Sequence, residues 1–254
     1  MNDSQFTVVL PSNASMHLFP NNKISNFVVQ LADTLKLHSQ QWEVGLSEIQ
    51  YPHIWFNIRN KRNKLKIVTA KGDVIPIKVP TGYYKNPDEV VTLVNKQLET
   101  LNYADDHRTD CKIALIYHKL LNKVVIESCP HYSMKIANTD IGRLLGIVED
   151  VDFNSRVEAQ SMALHSNGNF SLYVYMDIVE GQYLGDLKVP LLKVVPVKGK
   201  HGDYQCIRYD RPNFIPLSRS EIQNIEVNIR DDTGNLISFE GGKVVLTLVF
   251  RRRR

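Results

Sequence analysis

The sequence predicts an all-β fold interrupted by one smaller segment of mixed α/β character. Three observations predict it. Apolar and polar residues alternate over short runs through the first sixty and the last hundred residues. Those runs are separated by Pro, Gly, Asn and Asp clusters that break strands. The one strong helical signal falls between the two flanks. A chain of 254 residues fits one large all-β domain or two small ones. An apolar fraction of 43% and a charged fraction of 23% supply a real core and exclude wholesale disorder.

The first strand is read from Phe6, Val8 and Leu10, which alternate with Gln5, Thr7 and Val9 until Pro11-Ser12-Asn13 ends the run. In the second, Phe27, Val29 and Leu31 alternate with Asn26, Val28 and Gln30. In the third, Trp42, Val44 and Leu46 share a face, but the pattern slips by one residue before Ile49 and Tyr51. Such a slip predicts a β-bulge, and Pro52 closes the strand.

Residues 62–150 differ in texture. Leu65 to Thr69 and Val74 to Val79 read as a hairpin around Lys71-Gly72-Asp73. A helix is then predicted with Asn86 as N-cap, Pro87 at its first position and Asp88 and Glu89 in its first turn. Val90, Val94, Leu98 and Leu101 form its apolar stripe. Lys112 to Tyr117 and Lys123 to Glu127 read as a strand pair, and Thr139 to Leu145 as a short helix ended by Gly146.

Past this segment, Leu172, Val174, Met176 and Ile178 line one strand face, with Tyr173, Tyr175 and Asp177 opposite. A strand near Leu187 to Val197 carries Pro190 as an edge or irregularity, and Tyr204 to Tyr209 follows. Ile225, Val227 and Ile229 alternate with Glu226, Asn228 and Arg230. Val244 to Phe250 is nearly continuous in apolar residues, as in a strand covered on both faces. The flanks together supply about eight strands, the number a jelly roll needs. The expected organisation is a discontinuous jelly-roll β-sandwich, residues 1–61 and 151–254, with 62–150 as an inserted small α+β subdomain.

Charge and cysteine usage narrow the function classes. Of 31 Lys and Arg against 27 Asp and Glu, four are Arg251, Arg252, Arg253 and Arg254. The body is therefore neutral, which argues against a broad nucleic-acid-binding face. The arginine tail itself can bind DNA, acidic protein or lipid phosphate, or can simply terminate an apolar strand. Cys111, Cys129 and Cys206 are too few for a disulfide framework and read as reduced thiols. No apolar run approaches the ~20 residues that cross a bilayer. Met1-Asn2-Asp3-Ser4-Gln5 has no basic segment leading an apolar stretch, so no signal peptide is expected and an intracellular or intracellularly assembled protein is read. The Asn-X-Ser sequons at Asn2, Asn13 and Asn169 are then chance matches.

Candidate chemistry is sparse. Asp232-Thr233-Gly234 spells the aspartic-protease tripeptide, but it follows Arg230-Asp231 and has no second copy. The reading adopted is a turn, with Gly234 at positive φ. Cys111, His118, Cys129 and His131 cluster in sequence, yet match no zinc spacing. The aromatic stretches Tyr51 to Phe56 and Phe214 to Leu217 lie beside prolines, and Arg59, Lys61 and Arg62 follow the first. Packing between strand ends or subunits is favoured over base stacking. No cofactor, metal or small-molecule substrate is expected, and the chain is not read as an enzyme.

Several stretches resemble the Polinton/Maverick minor capsid proteins. Phe6 to Ser15, Phe19-Pro20-Asn21-Asn22 and Trp42 to Leu46 through Tyr51-Pro52 are similar to that family's opening. Tyr173 to Val179, Gly185-Asp186 with Leu191-Leu192 and Val195-Pro196, and Ile225 to Gly234 with Phe239 and Lys243 to Arg252 resemble its later strands. Pro80-Thr81-Gly82-Tyr83-Tyr84 and the helix after it resemble a module of virophage capsid proteins. The resemblance implies a penton: a single jelly roll that forms homopentamers at the fivefold vertices of an icosahedral virion. It also implies contact with a double jelly-roll major capsid protein and no catalytic residues. Packaged DNA would be reached through the C-terminal arginines. The insertion would serve as an outward attachment knob or as a brace between subunits. Related sequences occur in invertebrate genomes, so an integrated element is as good a source as a free virus. The alternative function is a cellular or domesticated β-sandwich that binds a protein partner.

Overall fold

The structure is a computed structural model. It describes residues 5–38, 41–68, 72–104, 113–127, 132–136, 139–153, 156–164 and 171–253. Along the chain the first flank holds β1 (Gln5–Pro11), β2 (Asn26–Lys36) and β3 (Trp42–Pro52). Next come β4 (Lys64–Val68), β5 (Val74–Lys78), α1 (Pro87–Ala104), β6 (Ala114–His118) and β7 (Lys123–Glu127). These lead into β8 (Tyr132–Lys135), α2 (Asp140–Leu145), β9 (Val151–Phe153) and β10 (Val157–Glu158). The second flank holds β11 (Ser171–Met176), β12 (Gln182–Leu184), β13 (Leu187–Val189) and β14 (Leu191–Pro196). It ends with β15 (Tyr204–Arg208), β16 (Ile215–Pro216), β17 (Glu221–Arg230) and β18 (Val245–Arg252).

The flanks form two antiparallel sheets around one core. The first runs β1-β18-β3-β15, with β16 also on β3, and the second runs β14-β11-β17-β2. Counting only the eight long strands, these orders are 1-8-3-6 and 5-4-7-2, the order of a jelly roll closed by two Greek keys. The first and last strands pair in register, Phe6 against Phe250, Val8 against Leu248 and Leu10 against Leu246. The Phe6 and Phe250 rings stack with centroids 5.0 Å apart. Phe27, Val44, Leu46, Leu172, Val174, Met176, Ile225, Val227 and Ile229 fill the space between the sheets.

The slip in the β3 pattern is a bulge. Leu248 faces Leu46 and Thr247 faces Glu48, leaving Ser47 as the extra residue. Ser47 Oγ donates to the Thr247 carbonyl at 2.9 Å, and Tyr209 N donates to the Ser47 carbonyl. The insertion restores inward orientation for Ile49 and Tyr51. Pro190 interrupts between β13 and β14, which lies at a sheet edge.

β18 departs from expectation. Leu246, Leu248 and Phe250 are fully buried, but Val245, Thr247 and Val249 are only half-buried. The apolar run is thus covered on one face within this chain, not on both, because no second layer of the sandwich lies over Val245, Thr247 and Val249.

Residues 56–168 form a second compact unit with its own core. Its sheets run β5-β4-β8-β9 and β10-β7-β6. On α1, Val90, Val94 and Leu98 are buried as the spacing predicts; the Leu101 side chain lies outside the description. Thr139 caps α2, its Oγ1 accepting from Gly142 N, and Gly146 ends it at φ 75°. The unit divides from the sandwich at 55/56 and 168/169, not at the expected 61/62 and 150/151. Two facts move these boundaries outward. Ile58 bridges to Gly82 and joins the second core. β9 and β10, read as sandwich from sequence, instead pair with β8 and β7.

Candidate functional site

The sequence-predicted candidates fall in separate places. At Asp231 to Asn235 the buried carboxylate is Asp231. Its Oδ1 accepts from Thr233 N, Thr233 Oγ1 and Asn235 N at 2.7–2.9 Å. Asp232, the acid of the protease-like tripeptide, is exposed on the rim, and Gly234 takes φ 81°. The tripeptide is spent on turn geometry. Of the cysteine–histidine cluster, Cys111, Cys129 and His131 lie outside the described residues, so only His118, at the end of β6, is placed.

The arginine tail is partly structure. Arg251 and Arg252 belong to β18, and Arg254 lies outside the described residues. Arg251 Nε donates to Glu43 at 2.7 Å, and its guanidinium lies 3.4 Å from the centroid of the Phe214 ring. Arg252 lies over Trp42 at 5.8 Å, and Arg252 and Arg253 are exposed. The aromatic clusters pack. Trp55 meets Phe239 edge to face at 5.7 Å, and Tyr51 is fully buried with its hydroxyl accepting from Lys198 N. Burial pushes the Tyr51 phenol above its ordinary value. Arg59 and Arg62 both turn onto the fully buried carboxylate of Asp140, at 2.9 and 3.2 Å.

Two features escaped the sequence. One is this Asp140 cluster, whose members are about 80 residues apart and share no local pattern. The other is a histidine pair beside Trp55. The His53 ring stacks on Trp55 at 4.4 Å and lies 6.3 Å from His201. Burial holds both imidazoles below their ordinary range, while the Lys198 carbonyl and the charge of Asp203 pull His53 the other way. A groove lined by Lys23, Ile24, Ser25 and Leu236 to Phe239 brings one charged group, Lys23, to its wall. Among the described residues no three His, Cys, Asp or Glu side chains gather as a metal would need, and no helix is long and apolar enough to cross a membrane.

The sheet edges of the sandwich are treated unequally. On the first half of β2, from Asn26 to Gln30, outward groups are occupied. Asn22 bonds both N–H and C=O of Val28, Ser15 Oγ accepts from Gln30 N, and Lys23 exchanges backbone bonds with Asn26. On β14 a bulge at Leu192, flanking Pro190 and Pro196, and Lys193 obstruct pairing. β1 has no such protection. The Ser12 N bond to the Val244 carbonyl sets the ladder phase, so Phe6, Val8 and Leu10 bond to β18 and Gln5, Thr7 and Val9 turn their N–H and C=O outward. On β15 the Tyr209 N bond to Ser47 sets the phase likewise, turning Tyr204, Cys206 and Arg208 outward.

No protein-family model matches the chain, and no curated protein matches it. Solved structures do. The likeness is one of fold, a jelly-roll sandwich interrupted by an α+β lobe. The mavirus penton protein, known from a crystal structure, overlays with a TM-score of 0.52 at 12% identity, over 98% of this chain and 99% of that one. A chain of the Sputnik virophage, solved by cryo-EM, gives 0.48 at 9% identity over 98% of both chains. The chain therefore has the fold of the mavirus penton protein along nearly its whole length.

Proposed function

We propose that this chain is a structural capsid protein, a penton that forms homopentamers at the fivefold vertices of an icosahedral virus-like shell, beside a double jelly-roll major capsid protein. The observation that carries the reading is the end-to-end overlay on the mavirus penton protein, which includes the inserted lobe as well as the sandwich. The protease-like acid, Asp232, sits exposed on a turn, and the buried acids Asp231 and Asp140 are held by structural bonds. Residues 56–168 serve as a lobe that the jelly roll presents, and the tail arginines reach packaged DNA. Light scattering on the purified chain tests the reading: a five-subunit mass is expected at raised concentration. A mass that stays monomeric at every salt and protein concentration overturns it. Electron microscopy of particles assembled with the major capsid protein is expected to show density for this chain at the vertices.

A further inference from the structure

We propose that β1 of one copy pairs edge to edge with β15 of a second copy, so that the five-stranded sheet continues across the subunit boundary. The inference rests on the self-assembling reading above and names its contact. Its basis is the contrast among the four edges of one sandwich. In the β14-β11-β17-β2 sheet the β14 edge is obstructed by a bulge, and the β2 edge is bonded by the chain itself from Asn26 to Gln30 and irregular in register beyond. Both edges of the other sheet leave three residues' worth of backbone donors and acceptors outward, and among the described residues none bonds them. A row of unpaired backbone groups is a template for another strand, and β1 lacks the usual deterrents. Gln5 to Pro11 contains no charge, shows no register shift in its pairing, and has its only proline at the last position.

The surface beside this edge points the same way. Val9 is 53% exposed, and Thr7, Val9, Val245, Thr247 and Val249 form an uncharged β-branched patch on the outer face of β1 and β18. The two open edges lie at opposite ends of one sheet, as a head-to-tail contact requires if it is to repeat and close into a ring. Directions alternate across β1, β18, β3 and β15, so β15 runs opposite to β1. Copies rotated about an axis along the strands then pair antiparallel. The central register sets Thr7 against Cys206, Val9 against Tyr204 and Gln5 against Arg208, with no like charges opposed.

The native thiol makes the pairing testable. Cys206 is free and exposed. Directly opposed residues of an antiparallel pair have Cα atoms about 5.5 Å apart, inside the span a disulfide bridges. In the full chain carrying Cys111→Ser and Cys129→Ser, Thr7→Cys is oxidised by copper phenanthroline and run on a non-reducing gel. The expected result is a ladder of covalent multimers that reductant removes and that Cys206→Ser abolishes. Thr7→Lys, a change at an exposed position, is expected to remove self-association measured by light scattering while leaving circular dichroism unchanged. Two outcomes overturn the inference and leave the penton reading standing: a five-subunit mass without cross-linking, or dimers that persist in the Cys206→Ser background, which would join two β1 edges. A chain that never associates overturns the penton reading, and this contact with it.

Discussion

Asp231 and Asp232 are neighbours with opposite fates, and the difference is burial. Asp231 is enclosed and accepts three hydrogen bonds that hold the turn after β17, whereas Asp232 faces solvent. Asp231→Ala is expected to lower stability in chemical denaturation by about 1–3 kcal/mol, because it removes three hydrogen bonds accepted by a buried carboxylate. Asp232→Ala should stay within about 0.5 kcal/mol. A proteolytic activity abolished by Asp232→Asn would contradict the turn reading. The histidine pair adds a pH dependence. His53 and His201 are held below the ordinary imidazole value, chiefly by burial. The unfolded chain therefore binds protons that the folded chain refuses. Stability from these groups is full above the ordinary imidazole pKa, falls as pH drops through it, and levels off below the folded values. Melting temperature is expected to decline from pH 7.5 towards pH 5, with a shallower slope in the His53→Gln, His201→Gln double variant. A slope identical in wild type and variant would remove the pair from the account.

At the scale of the element, the short helix α2 shows how one glycine holds a segment in place. Gly146 sits at φ 75°, and its N–H closes the helix onto the Arg143 and Gly142 carbonyls. A Cβ there would lie 2.3 Å from the Ser161 carbonyl oxygen. Backbone strain and collision add, so Gly146→Ala is expected to destabilise the lobe by about 2 kcal/mol or more. Hydrogen exchange is the measurement: amides of α1 and β4 to β8 should lose protection while β11 and β17 keep theirs. Equal loss in both sets would mean that the two cores unfold as one. The bulge in β3 is the sandwich counterpart. One extra residue, Ser47, lets an apolar triplet and an apolar pair on a single strand reach the same core, and its polar groups are satisfied locally.

For the whole molecule, each unit has its own hydrophobic core, and the first and last strands of the chain are partners. The last strand, β18, lies inside a sheet between β1 and β3, which constrains what the arginine tail can do. Arg251 is committed to Glu43 and Phe214, so the test of DNA contact falls on the positions that follow it. Replacing Arg252, Arg253 and Arg254 by Ser is expected to lower the DNA content of assembled particles without stopping assembly, with a salt-sensitive contribution. Packaging at the wild-type level would assign the tail to strand termination alone.

Much of the architecture was legible in the residues because periodicity is local. The long strands, the bulge, α1 with its apolar stripe, and the stop at Gly146 all follow from spacings within a dozen residues. The strand count and the neutral body pointed to a sandwich without a broad nucleic-acid face. What only the tertiary structure decided are matters of partnership between distant segments. Sheet order placed β1 on β18 and left its other edge open, and burial chose Asp231 over Asp232. Three-dimensional packing brought Arg59 and Arg62 onto Asp140 and drew β9 and β10 into the lobe. Pattern along the chain reports which face of an element is apolar; which other element covers that face, or whether none does, depends on long-range contacts that carry no local signature.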